Sequence, residues 1–310
     1  MLKILPFEDK YQRDLEALSP EKAEVLRFHG DVLPGSALAV VETEGESGGT
    51  GGAAVKRGGS RSSGKTRLLG AGYLFAGQSY RARADYPDLP LYNVQMDFAL
   101  DLSSDEAVPA AEMLIEGLIE GFEALQAQEP GRKLALTYWV RADAKETRAF
   151  LESFGFREAY RMYRMVRCLG EAAGSPAITE IDLRAPEAMK RYIEATAESY
   201  GIPDSEAEMR FRILRQGARV FTIEEKTFVT LRDLGDGAAE TENVFTRKAY
   251  RGQGLSTALL EGAAEILQKE GFREARLNVY PRFAQKALRI YRRLGYRRAY
   301  TLLEMHKVIL

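Results

Sequence analysis

The 310-residue chain balances 44 lysines and arginines against 45 aspartates and glutamates, a formal net charge of −1. That balance supplies no general field for nucleic acid or an anionic membrane, so small-molecule chemistry is the expectation. An apolar fraction of 45% with 29% charged residues is that of a soluble globular protein, and the length implies two domains of about 150 residues each. The single cysteine, Cys168, allows no internal disulfide and reads as a small buried hydrophobe. No signal peptide and no apolar run long enough to span a bilayer is visible, so a cytoplasmic protein is expected.

In chain order, a helical pattern first covers residues 7–28. Residues 44–68 are rich in Gly and Ser and read as an insertion between two strands. Within them, residues 59–66 (Gly-Ser-Arg-Ser-Ser-Gly-Lys-Thr) fit the phosphate-binding pattern G-x-x-x-x-G-K-[ST]. That motif works only between a buried strand and a helix. Here residues 48–52 are mostly glycine and 67–72 are broken by Gly70 and Gly72, which excludes the reading.

An apolar strand pattern follows at 134–140, and then a short helical one. The segment from Phe154 through Gly155 to Tyr160 matches that from Leu294 through Gly295 to Tyr300, an offset of 140 residues, and each copy follows a strand and a short helix. Two related domains are the expectation, 1–170 and 177–310, joined by the small, polar stretch 170–176. The second opens with helical segments over 186–216. Strand patterns follow at 219–223, 227–231 and 240–246, the last after a Gly-Asp-Gly turn at 235–237. A Gly-rich turn, a long helix, a strand at 275–280, a short helix and a final strand complete an α+β domain, a mixed central sheet flanked by helices.

The Gly-rich turn carries the chemistry. Apolar residues recur at Leu255, Leu259, Ala263, Ile266 and Leu267, with Gly271 at the capping position, so Gly252, Gly254 and Ser256 lie at a helix N-terminus. Unpaired main-chain N–H groups there favour an anion, and missing side chains let it approach. Arg251-Gly252-Gln253-Gly254-Leu255-Ser256 resembles the acyl-CoA signature of the GNAT superfamily, Arg/Gln-x-x-Gly-x-Gly/Ala. The stretch from Ala287 through Tyr291 to Leu294-Gly295-Tyr296 resembles the family's second signature, although Ala284 stands where asparagine is usual.

The resemblance implies two tandem GNAT-like domains of which the C-terminal one is catalytic. It further implies acetyl-CoA as cosubstrate, no metal, and direct acyl transfer to a primary amine of a small molecule or peptide. On the same footing Tyr291 is the acid for the leaving thiolate. Glu242 or Glu240 is the base, and Val244, Phe245 and Thr246 with Arg251, Gly252, Gln253, Gly254, Leu255, Ser256 and Thr257 hold the cosubstrate. Glu240 and Glu242 alternate with Thr241 and Asn243, so they should share a strand face with Val244 and Thr246. A basic group around the second signature, including Arg282, Lys286, Arg289 and Arg293, reads as a solvated face with one or two members near the CoA phosphates.

The first half lacks the cradle. Where the turn belongs it has Asp101-Leu102-Ser103-Ser104-Asp105, and the counterpart of Tyr291 is Leu151, so its expected role is structural or substrate-shaping. The alternative function is a non-catalytic acyl-CoA sensor. No nucleic-acid or membrane partner is expected, and the assembly is a monomer or homodimer.

Overall fold

The computed structural model describes all residues except 21, 24–31, 44–65, 78, 80–87, 171–176, 202, 204, 205 and 310. The insertion up to Lys65, His29 and most of the linker stretch therefore lie outside the described residues. The chain divides into two compact units, residues 1–76 with 94–132, and residues 77–93 with 133–310.

The first unit is an antiparallel meander. Strands β1 (Leu2–Pro6), β2 (Leu38–Thr43), β3 (Thr66–Ala76) and β4 (Tyr92–Leu100) pair in that order, residues 94–100 of β4 belonging to this unit. Residues 66–72, glycine-broken in sequence, form the start of β3. Gly70 and Gly72 are used for close packing, because a Cβ at Gly70 would lie 2.7 Å from the Leu100 side chain. Helix α1 (Gln12–Leu18) follows a single 3-10 turn at Asp9–Tyr11, and of the 7–28 pattern residues 21 and 24–28 lie outside the described residues. Helix α2 (Ala107–Gln128) buries Ala110, Leu114, Leu118 and Phe122, a four-residue spacing that lays one stripe on the sheet.

The second unit holds the remaining eight strands. They are β5 (Leu134–Arg141), β6 (Arg157–Cys168), β7 (Thr179–Ile181), β8 (Arg219–Ile223), β9 (Thr227–Asp233), β10 (Ala238–Thr246), β11 (Glu274–Val279) and β12 (Arg297–Val308). Their order is β5-β12-β6-β11-β10-β9-β8-β7, antiparallel throughout except for the parallel pair β10–β11. Helices α3 (Lys145–Ser153) and α7 (Gln285–Arg293) connect β5 to β6 and β11 to β12. Both ends of α7 lie 140 residues beyond those of α3, and both ends of β12 the same distance beyond β6. Each helix stops at a left-handed glycine, Gly155 or Gly295, both at φ +86, from which the chain turns into its strand.

The pairing exchanges strands between the repeats. β6 of the first repeat pairs with β11 of the second, Met165 facing Leu277, while β12 of the second pairs with β5 of the first, Leu303 facing Val140. β12 and β6 then pair with each other. Neither repeat keeps its last strand beside its own β5 or β11.

Helices cover both faces around β10. On one face α6 (Leu255–Lys269) and α7 bury Leu259, Leu260, Ala263, Leu288 and Tyr291 against Val229, Ala239 and Leu277. Full burial of each leucine is worth about 1.5–3 kcal/mol. On the other face α4 (Pro186–Tyr200) and α5 (Glu206–Arg215) bury Met189, Tyr192 and Met209 against Val220, Phe228 and Phe245. α4 starts on Pro186 and ends at Gly201 with φ +83, which divides the 186–216 pattern into two helices. Cys168 ends β6 and is exposed, contrary to the expectation of burial; the strand's alternation ends before it. Among the described residues no helix is long and apolar enough to cross a membrane.

Candidate active site

β10 is irregular where the site forms. Its parallel pairing with β11 stops at Glu240, opposite Arg276, and the Thr241 hydroxyl closes the seam by donating to the Arg276 carbonyl at 2.9 Å. Beyond that the strands part. On the other edge Glu242 pairs with Thr230 and Phe245 with Phe228, so Asn243 and Val244 together face one residue of β9. This bulge, with Asn243 at φ +46, reverses the strand's alternation. Val244 therefore packs towards α6, on the side of Ala239, while Phe245 packs towards α4. The expected common face of Glu240, Glu242 and Val244 does not form. The bulge is fixed by Asn243, whose side-chain amide donates to the Tyr192 hydroxyl at 3.1 Å.

The turn after β10 opens onto a cleft of about 860 Å³. Gly252 and Gly254 have φ +83 and +78, a region costly for any residue with a Cβ. A Cβ on either would meet nothing within 4 Å, so these glycines serve the backbone path and an open approach rather than tight protein packing. Gly254 is the N-cap of α6 and offers no side-chain cap. Among the described residues, the main-chain N–H groups of 252–256 have no hydrogen-bond acceptor; Thr257 and Ala258 are the first to find one, the Gly254 carbonyl.

The turn is fastened from outside. The Arg251 guanidinium donates to the carbonyls of Thr246 at 3.0 Å and Ser199 at 3.3 Å, and Glu198 accepts from the Arg247 side chain and from the Lys248 amide. The Thr246 and Ser256 hydroxyls bond each other at 2.7 Å across the mouth of the turn. Tyr291, 6% exposed, forms one wall of the cleft and meets Tyr296 edge-on with ring centres 5.8 Å apart. Burial, then the neighbouring Tyr296, pushes its hydroxyl far above the usual tyrosine range, so it stays protonated at neutral pH.

Residues 216–298, which carry this turn, the splayed strand and the tyrosine helix, match the model of the acetyltransferase (GNAT) domain. In sequence the match to that family is confined to residues 216–298. A GCN5-related N-acetyltransferase from Sphaerobacter thermophilus superposes with a TM-score of 0.63 at 16% identity, covering 99% of this chain and 95% of the other. A tandem GNAT protein from the clavulanic acid biosynthesis pathway gives 0.61 at 14% identity, covering 99% and 98%. A GCN5-related N-acetyltransferase from Kribbella flavida gives 0.56 at 10% identity, covering 99% and 72%. At these identities the likeness shows the fold, and it extends over the whole chain. No curated protein sequence matches significantly.

Val244, Phe245, Thr246, Arg251, Gly252, Gly254, Leu255, Ser256 and Thr257 line the cleft with Tyr291. Gln253 is exposed and does not. Lys286 and Arg293 of the basic group also line it. Glu240 and Glu242 lie elsewhere, on the α4–α5 side of β10. Glu240 is 3% exposed and ion-paired with Arg164 of β6. Desolvation raises its pKa above the usual carboxylate value, with Arg164 opposing. Glu242 accepts from both Arg212 and Arg232. Sequence reasoning missed Ser199 and Tyr200 at the end of α4, Tyr250, and Phe283 before α7, all of which line the cleft. Tyr200 and Phe283 are 51% and 65% exposed, and no periodic pattern marks an aromatic left outside a core.

Proposed function

We propose that the chain is an acyl-CoA-dependent N-acyltransferase, with acetyl-CoA as cosubstrate, acting on a primary amine of a small molecule or peptide by direct attack. The observation that carries this reading is the row of unpaired main-chain amides at 252–256 at the positive end of α6, beside a strand that has left its neighbour. Five N–H groups without an acceptor among the described residues suit a diphosphate better than any neutral ligand, and a Cβ on Gly252 or Gly254 would meet nothing within 4 Å. Lys286 and Arg293 add positive charge at the rim, and beyond Glu240 β10 no longer pairs with β11, which suits entry of a pantetheine arm there.

Acetyl-CoA supplies an activated thioester carbonyl. The chain's part is to hold it along β10 and the turn, exclude water with Phe245, Leu255, Leu260 and Ile290, and offer the Tyr291 proton to the departing sulphur. Glu242 and Glu240 were the carboxylates expected to take the amine's proton. Their ion pairs favour a different part for both, fixing Arg164, Arg212 and Arg232 on the far side of β10. A Glu242→Gln variant that loses kcat with unchanged KM and an intact fold would restore the base role.

Calorimetry with acetyl-CoA tests the cradle, and thiol release across a panel of amines tests turnover. Binding with release supports the enzyme, binding without release supports a sensor, and no binding overturns both.

A further inference from the structure

Among the described residues only two carboxylates are buried, Glu240 and Glu304. Glu240 is neutralised by Arg164. Glu304, 8% exposed on β12, has neither an arginine nor a lysine partner among the described residues. It accepts from the Tyr280 hydroxyl at 3.0 Å and lies 3.0 Å from Nε2 of His306. A carboxylate taken from water costs on the order of several kcal/mol unless it is paired, and the ionic partner here is a histidine ring and not a permanent cation, so this position suits a further cation.

The surroundings specify which cation. Trp139 of β5 and Tyr160 of β6 face Glu304 from either side in the ladder, and Tyr280 and Phe283 follow β11. The Tyr160 ring centre lies 5.5 Å from Phe283, 5.6 Å from His306 and 6.4 Å from Tyr280, and Trp139 lies 6.0 Å from Tyr280. Three part-buried rings and the exposed ring of Phe283 thus cluster around a buried carboxylate, a composition that suits an organic ammonium through ring and charge together. A hydrated metal ion is a poor fit, since among the described residues no group of three or more His, Cys, Asp or Glu could hold one. Phe283 is the link to the cleft, since it belongs to this cluster and also lines the 860 Å³ space.

We propose that Trp139, Tyr160, Tyr280 and Phe283, with Glu304 as counter-ion, recognise the acceptor, a primary amine on an apolar or aromatic body, bound as its ammonium. The inference rests on the acyltransferase reading and deepens it. Because Trp139 and Tyr160 come from the first repeat and Glu304 from the second, the exchanged strands build the site, and the first repeat takes part in substrate choice.

The test uses the full chain without acetyl-CoA, titrated with benzylamine and with its neutral counterpart benzyl alcohol. Benzylamine should bind at least about tenfold tighter, and Glu304→Gln should lose about that factor for the amine while leaving benzyl alcohol unchanged. Trp139→Leu should weaken both probes, and it serves if Glu304→Gln fails to fold, folding being checked by thermal unfolding. Equal affinity for the two probes in the parent protein overturns the proposal and leaves His306 as the counter-ion of Glu304; so does a folded Glu304→Gln that binds benzylamine unchanged. Acetyl-CoA is titrated into the same preparations: failure there strikes the acyltransferase reading, whereas failure with benzylamine alone strikes only the amine site.

Discussion

In the first repeat α3 presents Leu151, fully buried, at the position where α7 of the second presents Tyr291, 6% exposed beside the cleft. The turns that precede the long helices differ more. Before α2, the Asp101 carboxylate accepts from the Ser103 amide and hydroxyl and from Arg67, and the Ser104 hydroxyl accepts from the Glu106 amide. The Ser103 hydroxyl above all, with Arg67, holds the Asp101 carboxyl below its usual range, so a negative charge already sits there. Neither helix has a side-chain cap, but before α6, among the described residues, the turn amides of 252–256 have no acceptor either. A turn before a helix suits a ligand when the chain leaves its donors unpaired, whereas before α2 Asp101 and Ser104 already serve the Ser103 and Glu106 amides.

The largest expected effect tests whether the repeats are separable. Deleting residues 297–310 removes β12 from between β5 and β6, and a fragment 177–310 lacks β6 beside β11. Both should lose cooperative thermal unfolding by circular dichroism, and a sharp transition in either would show that the exchange is dispensable. Next, Tyr291→Phe should lower kcat by about 10²–10⁴-fold with acetyl-CoA affinity unchanged, in stopped-flow thiol release against calorimetry.

The reverse change, Leu151→Tyr, should give no gain in turnover and cost about 1–3 kcal/mol by overpacking a fully buried position, read from denaturant midpoints. Gly254→Ala should weaken acetyl-CoA binding by about tenfold, since the left-handed backbone at that cap penalises a Cβ by about 1–2 kcal/mol.

The smallest effect concerns pH. Burial raises the hydroxyl pKa of Tyr280, Tyr291 and Tyr296 above the unfolded value, so their contribution to stability is complete below about pH 10 and declines as pH rises beyond it. Thermal melts between pH 8 and 11 should show that decline, and Tyr291→Phe should flatten it.

The local features of this fold were readable. The boundaries of α3 and β6 recur 140 residues on in α7 and β12, and the glycines that end the helices were visible in the matched segments, because caps and apolar periods depend on near neighbours. The Gly252–Gly254 turn was legible for the same reason. The bulge was not, since Glu-Thr-Glu-Asn-Val-Phe-Thr alternates like an ordinary strand and only the Asn243 contact to Tyr192 reveals the break. Partner choice was hidden as well. Arg164 and Glu240 are 76 residues apart, and nothing local to either announces the pair. Strand exchange is the same problem on a larger scale, because β12 has equal apolar patterning whichever strand it joins.

The exchange also sets a timetable for biosynthesis. Val140 waits for Leu303, so β5 and β6 stand apart with open edges until β12 has left the ribosome. Assembly of that half of the sheet is thus a late event that depends on contacts of long sequence separation, and slow closure with transient exposure to self-association is its kinetic cost.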